Sequence, residues 1–466
     1  MKSIGLIGFG ILLSACQTLS SEPPSAFDDT RLDQITWDGL EKFSGDNEFK
    51  TYMREARKLS EKRDGWWASN GYTLLAQAEC ENPEDCMDDE IVVTGASRSA
   101  SSASPVSITN VQTQGVDEGD IVKQIGDHLV VLQDGRLFSV DMGNTSGSME
   151  FIDRFNVYND ENSDTWYDEI LTYKNRILVT GYSYDEEGTE LSVVDLNSEG
   201  KFEKVATFYI SSDDYYDPEN YATRIVNGKL VIYTPLYLTE YYDWEELEWP
   251  VIRRWVDEEA WDDRIDAAYD ADQDQQAEAL EAKLDRMISG KNLFDARNIY
   301  KPVQRTAAPV VHSVSVCSLD APSDEEPLDC RNTAFIGPER QEMYVSGNDV
   351  FMWIGPGWDD IMDPEDSCEA GQMADIKTSI PSAFYRIPID GVHPEAVFVK
   401  GEPINQFSFE TFGDEFRAVL KLTSTECEQD WDSGADLTVM NFPMSKFSRT
   451  PSELSTKYQT LIPNIG

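Results

Sequence analysis

Short apolar runs that alternate with polar residues fill the chain from residue 120 onward, and glycine-containing turns separate them. The first runs lie at 120–124, 128–133 and 136–141, with Gly126-Asp127 and Asp134-Gly135 as the turns between them. This spacing predicts an antiparallel meander of three strands. Three strands cannot bury their apolar face alone, so the pattern also predicts that further sheets follow.

Groups of predicted strands recur along the rest of the chain. Four lie at 169–173, 176–182, 190–195 and 204–210, and later groups lie at 221–235 with 310–316, at 332–400 and at 406–442. Four strands occupy about the length of one propeller blade. We therefore predict a mainly β fold, a β-propeller of four-stranded blades joined by hairpins.

Two stretches follow helical rather than strand spacing. The first set of apolar residues comprises Phe49, Tyr52, Met53, Ala56 and Leu59, and it predicts an N-terminal helix that packs against the acidic body. The second set comprises Trp249, Ile252, Trp255, Val256, Ala277, Leu280, Leu284, Met287 and Ile288. It predicts a pair of acidic helices inserted between strands at about 239–300.

The N terminus has the form of a targeting signal. Lys2 precedes an apolar run at 4–13, and Leu13-Ser14-Ala15-Cys16 follows as a cleavage box. This resembles a bacterial lipoprotein signal, in which Cys16 becomes the lipidated first residue; a plain secretory signal is the alternative. By the same resemblance, Gln17 favours the outer membrane of a Gram-negative bacterium, with the protein facing the periplasm or the cell surface.

These features divide the chain into four predicted parts. They are a signal peptide with its lipobox at 1–16, a flexible tether at 17–35, a helical N-terminal segment and connector at 36–104, and the β-propeller domain at 105–466. No later run approaches the length of a membrane-spanning helix. The membrane partner is therefore expected to be reached through the lipid alone.

The charge of the chain is strongly negative. It has 87 Asp and Glu residues against 38 Lys and Arg, a formal net charge of −49. Such a polyanion is repelled by nucleic acid and by anionic lipid headgroups, so we expect no nucleic-acid partner. Binding of cations or basic partners would suit this charge, but a solvated acidic surface explains it more simply.

The cysteines predict disulfides in an oxidising compartment. Without Cys16 six remain, an even number in an exported chain. Sequence proximity favours the pairs Cys80–Cys86, Cys317–Cys330 and Cys368–Cys427. A zinc site is the rival interpretation, but no Cys-x-x-Cys pair exists and only three histidines are present.

Two acidic segments are candidate binding sites. The first holds Asp270, Asp272, Asp274, Glu278 and Glu281, at positions 1, 3, 5, 9 and 12 of an EF-hand-like loop, so Ca²⁺ is the one cofactor that the sequence suggests. Gln275 replaces the glycine required for the sharp turn, and an acidic helix junction is the alternative. The second is Asp117-Glu118-Gly119-Asp120, whose carboxylates Asp117, Glu118 and Asp120 would face a cation or basic ligand, or else would shape the start of the first strand.

The sequence offers little evidence for catalysis. His128, His312 and His393 lie in predicted strands and a turn, and no Gly-x-Ser-x-Gly elbow or phosphate-binding glycine loop is present. Residues 90–95, with the sequence EIVVTG, resemble the TonB box of outer-membrane receptors, in which an extended segment adds a strand to the partner. An edge strand or a linker is the simpler interpretation of this hexapeptide.

The stretch from Asn110-Val111-Gln112 through Gly115-Val116-Asp117-Glu118-Gly119-Asp120-Ile121-Val122-Lys123 resembles the opening motif of a bacterial secreted β-propeller family of unknown function. Further matches in the family's order are Tyr221-Ala222-Thr223-Arg224, Glu342-Met343-Tyr344-Val345-Ser346, Phe384-Tyr385-Arg386 and Asn405-Gln406-Phe407-Ser408-Phe409. The resemblance implies a propeller and an envelope location, and no activity. Family members continue with further strands, whereas this chain has about five blades' worth. We expect either a piece of a longer protein, or an incomplete ring covered by the inserted helices or a partner.

Together these observations favour an envelope-anchored, non-catalytic lipoprotein that binds a protein, peptide or glycan. The alternatives are a propeller enzyme, either a metal-assisted hydrolase or a lyase, and a TonB-linked accessory protein.

Overall fold

The computed structural model describes residues 36–69, 112–143, 149–160, 163–212, 223–238, 247–271, 273–306, 308–319, 328–357, 381–391, 393–422 and 436–462. Three α-helices lie within them: α1 (Asp46–Ser69), α2 (Glu258–Asp270) and α3 (Asp274–Ser289). None of these three helices is both long enough and apolar enough to cross a lipid bilayer.

The described residues also contain 25 β-strands. The first twelve are β1 (Val116–Glu118), β2 (Val122–Ile125), β3 (His128–Gln133), β4 (Arg136–Asp141), β5 (Glu150–Asn156), β6 (Thr165–Tyr173), β7 (Arg176–Ser183), β8 (Gly188–Leu196), β9 (Phe202–Ser211), β10 (Thr223–Val226), β11 (Lys229–Tyr237) and β12 (Val251–Arg254). The others are β13 (Lys291–Asn292), β14 (Ile299–Tyr300), β15 (Val310–Ser318), β16 (Cys330–Gly337), β17 (Arg340–Val345), β18 (Asp349–Gly355), β19 (Ser382–Pro388), β20 (Glu395–Val399), β21 (Glu402–Pro403), β22 (Phe409–Phe412), β23 (Glu415–Leu422), β24 (Asp436–Pro443) and β25 (Gln459–Ile462).

The described strands form five sheets, which we number along the chain. Sheet 1 is β2-β3-β4-β5, sheet 2 is β6-β7-β8-β9 extended by β12 and β13, and sheet 3 is β1-β10-β11-β15-β16-β14. Sheet 4 is β17-β18-β19-β20, and sheet 5 is β23-β24-β25 with β21 and β22 both paired to β23. A core of four antiparallel strands in each sheet confirms the predicted mainly β architecture of four-stranded propeller blades.

Successive sheets pack face to face through four hydrophobic clusters. Sheet 1 packs on sheet 2, sheet 2 on sheet 3, sheet 3 on sheet 4, and sheet 4 on sheet 5. At the last interface, for example, Phe351 and Phe384 of sheet 4 contact Phe416 of sheet 5, with ring centroids 4.6 and 4.9 Å apart. No cluster among the described residues joins sheet 5 to sheet 1, so the series of sheets has two ends.

The position of a sheet in this series explains the hydrophobic pattern of its strands. Sheets 2 to 4 are covered on both faces, and strands such as β8 and β18 are buried at nearly every residue. Among the described residues sheet 5 is covered on one face, and β23 alternates between buried and partly exposed positions. A strand buried on both faces needs a continuous apolar run, whereas one with a single covered face needs period-two alternation.

Two of the predicted hairpin turns have the backbone that their sequences predict. Asp134 and Gly135 between β3 and β4 have φ of 47° and 64°, and Asn227 and Gly228 between β10 and β11 have φ of 52° and 74°. Positive φ at both central residues is the type I′ geometry, whose twist matches that of the flanking strands. Asparagine, aspartate and glycine adopt this conformation with the least strain.

The predicted N-terminal helix is confirmed. Helix α1 buries Phe49 and Tyr52 against Val311 and Ile336 of sheet 3. Lys301, beside β14, also forms an ion pair with Glu48 of the helix at 2.6 Å. The helix therefore packs against the body, as its apolar spacing indicates.

The predicted helical insertion is partly right. Helices α2 and α3 pack on each other through Trp261, Ile265, Leu284 and Met287. The helical interpretation of Trp249, Ile252, Trp255 and Val256 is wrong, because all four precede α2, which begins at Glu258. Strand β12 pairs there with the edge of sheet 2 through Ile252 and Ile210. The free edge of β9 offered a row of backbone donors and acceptors, and pairing with it outweighed the local helical spacing.

One predicted disulfide is confirmed. Cys317 of β15 and Cys330 of β16 are directly opposite in the antiparallel pair and are bonded, with Cα atoms 3.9 Å apart. The bridge lies beside the cluster between sheets 2 and 3. The other four cysteines of the predicted pairs, namely Cys80, Cys86, Cys368 and Cys427, lie outside the described residues.

Candidate functional site

The segment 117–120, predicted as a binding site, lies where the inner edges of the sheets meet. Strand β1 pairs with β10 at the edge of sheet 3, and Asp120 then forms an antiparallel bridge with Ile170 of sheet 2. The chain continues directly into β2 of sheet 1. Three sheets therefore come together within a few residues, and we call the polar groups around this segment the axial cluster.

Asp117 joins sheets 1 and 2 to β1. Its carboxylate accepts hydrogen bonds from the Lys123 ammonium at 2.9 Å and from the backbone N–H of Thr172 at 2.6 Å. Lys123, which is only 2% exposed, also donates to the Glu118 carbonyl at 2.5 Å. A buried ammonium is tolerated only with partners of this kind, so Lys123 already neutralises the carboxylate that the sequence suggested for an external cation.

Glu118 and Arg224 extend the cluster to sheet 5. The Glu118 carboxylate lies 3.9 Å from Arg224 Nε, and the Arg224 guanidinium donates to Gln406 Oε1 at 2.5 Å. Gln112 donates from its amide to the carbonyls of Gln406 and Phe409, at 2.7 and 3.1 Å. The residues before β1 are thereby fixed to the inner strand of sheet 5.

Thr113 links sheet 4 to this cluster, as the fifth sheet to join it. Its hydroxyl lies 3.1 Å from that of Tyr344 in β17. The axial cluster thus contains groups from all five sheets, which is the convergence of inner strands expected at the centre of a propeller.

Gly119 is required because a carboxylate occupies the space beside its Cα. A Cβ at this position would lie 1.5 Å from Glu169 Oε2. Glu169 accepts hydrogen bonds from the hydroxyls of Thr180 and Thr223. Burial raises the pKa of the Glu169 carboxyl, and the hydroxyls together with the charge of Arg224 partly oppose that rise.

Asp120 has a local partner. Its Oδ1 accepts from the backbone N–H of Ile121 at 2.6 Å and of Val122 at 3.3 Å, which forms the turn that leads into β2. Asp117 and Glu118 therefore share the axial cluster, while Asp120 shapes the chain next to it.

Most residues of the axial cluster were not singled out as site residues from the sequence. Lys123, Thr223-Arg224 and Gln406 lie within the segments that resemble the propeller family, but nothing local indicates that they meet. The only feature of the sequence that relates to Glu169 is Gly119. The reason for this glycine, which is that the Glu169 carboxylate lies where a Cβ would be, is seen only in the fold.

A second buried carboxylate lies between sheets 1 and 2. Glu190 is fully buried and accepts hydrogen bonds from the hydroxyls of Tyr167 at 2.6 Å, Thr165 at 3.0 Å and Ser192 at 3.0 Å. Burial raises its pKa, and the hydrogen bonds partly oppose the rise. The amide of Asn159, in the β5–β6 connection, is 3.4 Å from this carboxylate, so the group ties that connection to sheet 2.

The predicted calcium ligands lie on the inserted helices. Asp270 ends α2, while Asp274, Glu278 and Glu281 lie along α3, although an EF-hand holds the corresponding ligands in a loop. Asp272 lies outside the described residues. Within the described part of the chain no group of three or more His, Cys, Asp or Glu side chains is arranged to hold a metal ion. Calcium binding here stays a prediction.

His312 has the surroundings of a core histidine. It is fully buried, its Nδ1 is 2.9 Å from the Tyr233 hydroxyl, and its Nε2 is 2.7 Å from the Pro338 carbonyl. Burial lowers the pKa of this imidazole to about 4. Its ring stacks on Phe335 with centroids 5.5 Å apart, so His312 is a neutral packing group at neutral pH.

Several predicted features lie outside the described residues. They are the lipobox with Cys16, the tether at 17–35 and the TonB-box-like residues 90–95. Each of them stays a prediction.

Known proteins were compared with this chain by family model, by sequence and by structure, and the family model agrees with the fold. A family model described as "Beta propeller domain" matches residues 106–452. Among solved structures, a 1.18 Å crystal structure of an uncharacterized protein from Listeria monocytogenes EGD-e shares 9% sequence identity, with a TM-score of 0.22, and the match covers 74% of this chain and 87% of that one. No match is found among curated proteins.

Proposed function

Because the chain belongs to the β-propeller domain family, we propose that it is a non-catalytic binding protein of the cell envelope. A lipid on Cys16 holds it to the outer membrane, and the propeller surface binds a protein, peptide or glycan. Family membership supports the fold, and the lipobox Leu13-Ser14-Ala15-Cys16 supports the location.

The observation that carries the non-catalytic reading is the internal pairing of charges in the axial cluster. Lys123 is held by Asp117, and Arg224 by Gln406 and Glu118. Charged groups that act on a ligand need an open side, but here each is bonded to a neighbouring sheet. The charges therefore fasten the sheets together, and ligand binding is left to the outer surface.

Membrane fractionation tests the proposed location. The wild-type protein is expected in the outer-membrane fraction with an acylated N terminus, and the Cys16→Ser variant in the soluble periplasmic fraction. Mass spectrometry of the mature N terminus measures the acyl chains directly. A wild-type protein without acyl chains would contradict the anchor.

Affinity capture tests the binding role. Residues 17–466, immobilised and incubated with envelope extract with and without calcium, are expected to retain a partner that survives washing with salt. The heat-unfolded chain is the matched control, since a polyanion of −49 retains basic proteins non-specifically. Equal capture by folded and unfolded protein would contradict the proposal.

An enzyme is the second candidate, and Glu169 is the observation that favours it. A carboxyl with a raised pKa at the centre of a propeller is suited to proton transfer. Turnover in a panel of glycosides, peptides and esters that Glu169→Gln abolishes, at an unchanged melting temperature, would establish this role. Absence of any turnover by the wild type favours the binding protein.

A further inference from the structure

A lysine and an asparagine from distant parts of the chain contact each other beside sheet 2. Asn159 lies in the β5–β6 connection, and Lys204 lies on β9, 45 residues further along the chain. The Nζ atom of Lys204 is 2.5 Å from Oδ1 of Asn159. A nitrogen bonded to an amide oxygen is already close to the roughly 3–3.5 Å separation at which it attacks the amide carbon.

Hydrogen bonds fix the orientation of the Asn159 side-chain amide. Its Oδ1 accepts from the Thr207 hydroxyl at 3.1 Å as well as from Lys204. Its Nδ2 donates to the Tyr209 hydroxyl at 2.9 Å and is 3.4 Å from Glu190 Oε1. Two donors face the oxygen and two acceptors face the nitrogen. The amide therefore keeps its oxygen beside the amine and its nitrogen beside a carboxyl group.

The surroundings of the amine and the carboxyl group favour their uncharged forms. Although the Lys204 side chain reaches the surface, burial lowers the pKa of its amino group, and the charge of Glu190 partly opposes this change. A lower pKa increases the fraction of neutral amine, which is the nucleophilic form. Glu190 is fully buried, and burial raises the pKa of its carboxyl, which helps it to hold a proton. The Trp255 ring lies 5.5 Å from Nζ of Lys204.

We propose that Lys204 and Asn159 react within the folded chain to form an isopeptide bond, with Glu190 as the catalytic residue. The Lys204 amine attacks Cγ of Asn159, and the Thr207 hydroxyl stabilises the negative charge that develops on Oδ1. Glu190 takes the proton that the amine loses and delivers it to the amide nitrogen. The Nζ–Cγ bond forms, the Cγ–Nδ2 bond breaks, and one molecule of ammonia leaves. The reaction needs no other reactant and occurs once in each chain.

The chemistry of this contact differs from that of the ion pair in the axial cluster. Lys123 is 2.9 Å from the carboxylate of Asp117, so an ammonium faces an anion. An ammonium has no free electron pair, and a carboxylate resists attack because it is negatively charged. Lys204 instead faces an uncharged amide, with a carboxyl group next to the nitrogen that leaves. This combination of three groups is what selects Lys204 for the reaction.

The isopeptide bond joins the connection that follows sheet 1 to a strand of sheet 2. Asn159 comes three residues after the end of β5, the last strand of sheet 1, and β9 belongs to sheet 2. A cross-link that closes a loop of this length stabilises a fold chiefly by restricting the unfolded chain. The Cys317–Cys330 disulfide, by contrast, joins two neighbouring strands of sheet 3. The two cross-links therefore restrict different parts of the chain.

Peptide mapping by mass spectrometry tests the proposal on the purified and reduced protein. Trypsin does not cut after a lysine whose amine is acylated, so Lys204 should stay uncut in the wild type. We expect a branched peptide in which residues 155–174 are joined to residues 202–224. Its mass should be below the sum of the two segments by about 17 Da, which is the mass of one ammonia.

Three variants assign the reaction to these groups. Lys204→Arg is expected to abolish the branched peptide. Glu190→Gln keeps the size of the side chain but cannot carry the proton, and it should reduce the branched peptide at least tenfold, within the range of general acid–base catalysis. Lys201→Arg is the matched control, because the Lys201 side chain is 58% exposed and pairs with Glu199. This control should leave the branched peptide unchanged.

The wild-type protein decides the proposal whatever the variants do. If it yields the two segments separately, cut after Lys204 and with their full masses, no isopeptide bond forms and the proposal is overturned. An undiminished branched peptide in Glu190→Gln would overturn the role of Glu190. Circular dichroism of each variant shows whether it is folded, so that loss of the bond is distinguished from loss of the fold.

Discussion

Sheets 1 and 5 stand at equivalent places, the two ends of the series, yet their uncovered faces differ in chemistry. The uncovered face of sheet 5 carries Glu410, Glu415, Arg417 and Lys421 on β22 and β23, and Arg417 bonds to both glutamates at 3.2 and 3.7 Å. The uncovered face of sheet 1 has two rows of apolar residues, namely Val122, Val131 and Phe138 in one row and Leu129, Val140 and Phe151 in the other, and its described residues include no Asp or Glu. Both faces are uncovered among the described residues, but only the face of sheet 5 carries ion pairs there.

Substitutions on covered and uncovered faces should differ most in their effect on the free energy of unfolding. Phe416 of sheet 5 is fully buried between Phe351 and Phe384, and Phe416→Ala is expected to lower the free energy of unfolding by about 3–5 kcal/mol, since it leaves a cavity. Phe412→Ala removes the same group from the uncovered face and should cost less than about 1 kcal/mol. Urea unfolding measures both values, and equal losses would show that the two faces are covered alike.

Charged residues should show the same contrast. Lys123→Met leaves Asp117 without its ammonium inside the axial cluster and is expected to cost about 3–5 kcal/mol. Lys421→Met on the uncovered face of sheet 5 breaks a 3.9 Å contact with Glu402 and should cost less than about 1 kcal/mol. Urea unfolding of the two variants measures both losses of free energy. A small loss for Lys123→Met would mean that the axial charges do not fasten sheet 1.

The pH dependence of the free energy of unfolding tests the interior of sheet 3, which is covered on both faces. The pKa of His312 in sheet 3 is lowered to about 4 from 6.5, so the unfolded chain takes up this proton first as the pH falls. The contribution of His312 to the free energy of unfolding is complete above pH 6.5 and is lost as the pH falls to about 4. The change is about 3 kcal/mol, at about 1.36 kcal/mol per pKa unit. His312→Asn should flatten this part of the unfolding profile, and a profile that keeps its slope in this variant would contradict the assignment to His312.

The sequence revealed those parts of the fold that depend on neighbouring residues. Alternation and type I′ turns are local, so β3 and β4 were located from Asp134-Gly135 and the flanking runs. The strand β12 was misread because its pairing with β9 is a tertiary interaction that spacing does not record.

The axial cluster shows the same limit. Asp117 was identified as a polar candidate, but its surroundings come from residues more than 50 positions away, such as Thr172 and Arg224, which the fold brings together. Charge counting likewise gave −49 for the whole chain and missed the acid-free face of sheet 1. That face exists only after strand register assigns every second residue to one side.

The smallest expected effect tests why the uncovered face of sheet 5 stays in water. Arg417→Met breaks the contacts with Glu410 and Glu415 at a position 35% exposed, and it should cost only about 0.2–1 kcal/mol, less at high salt. Urea unfolding at about 0.05 and about 0.5 M NaCl measures this loss, and a loss well above about 1 kcal/mol would show that these ion pairs are shielded from water.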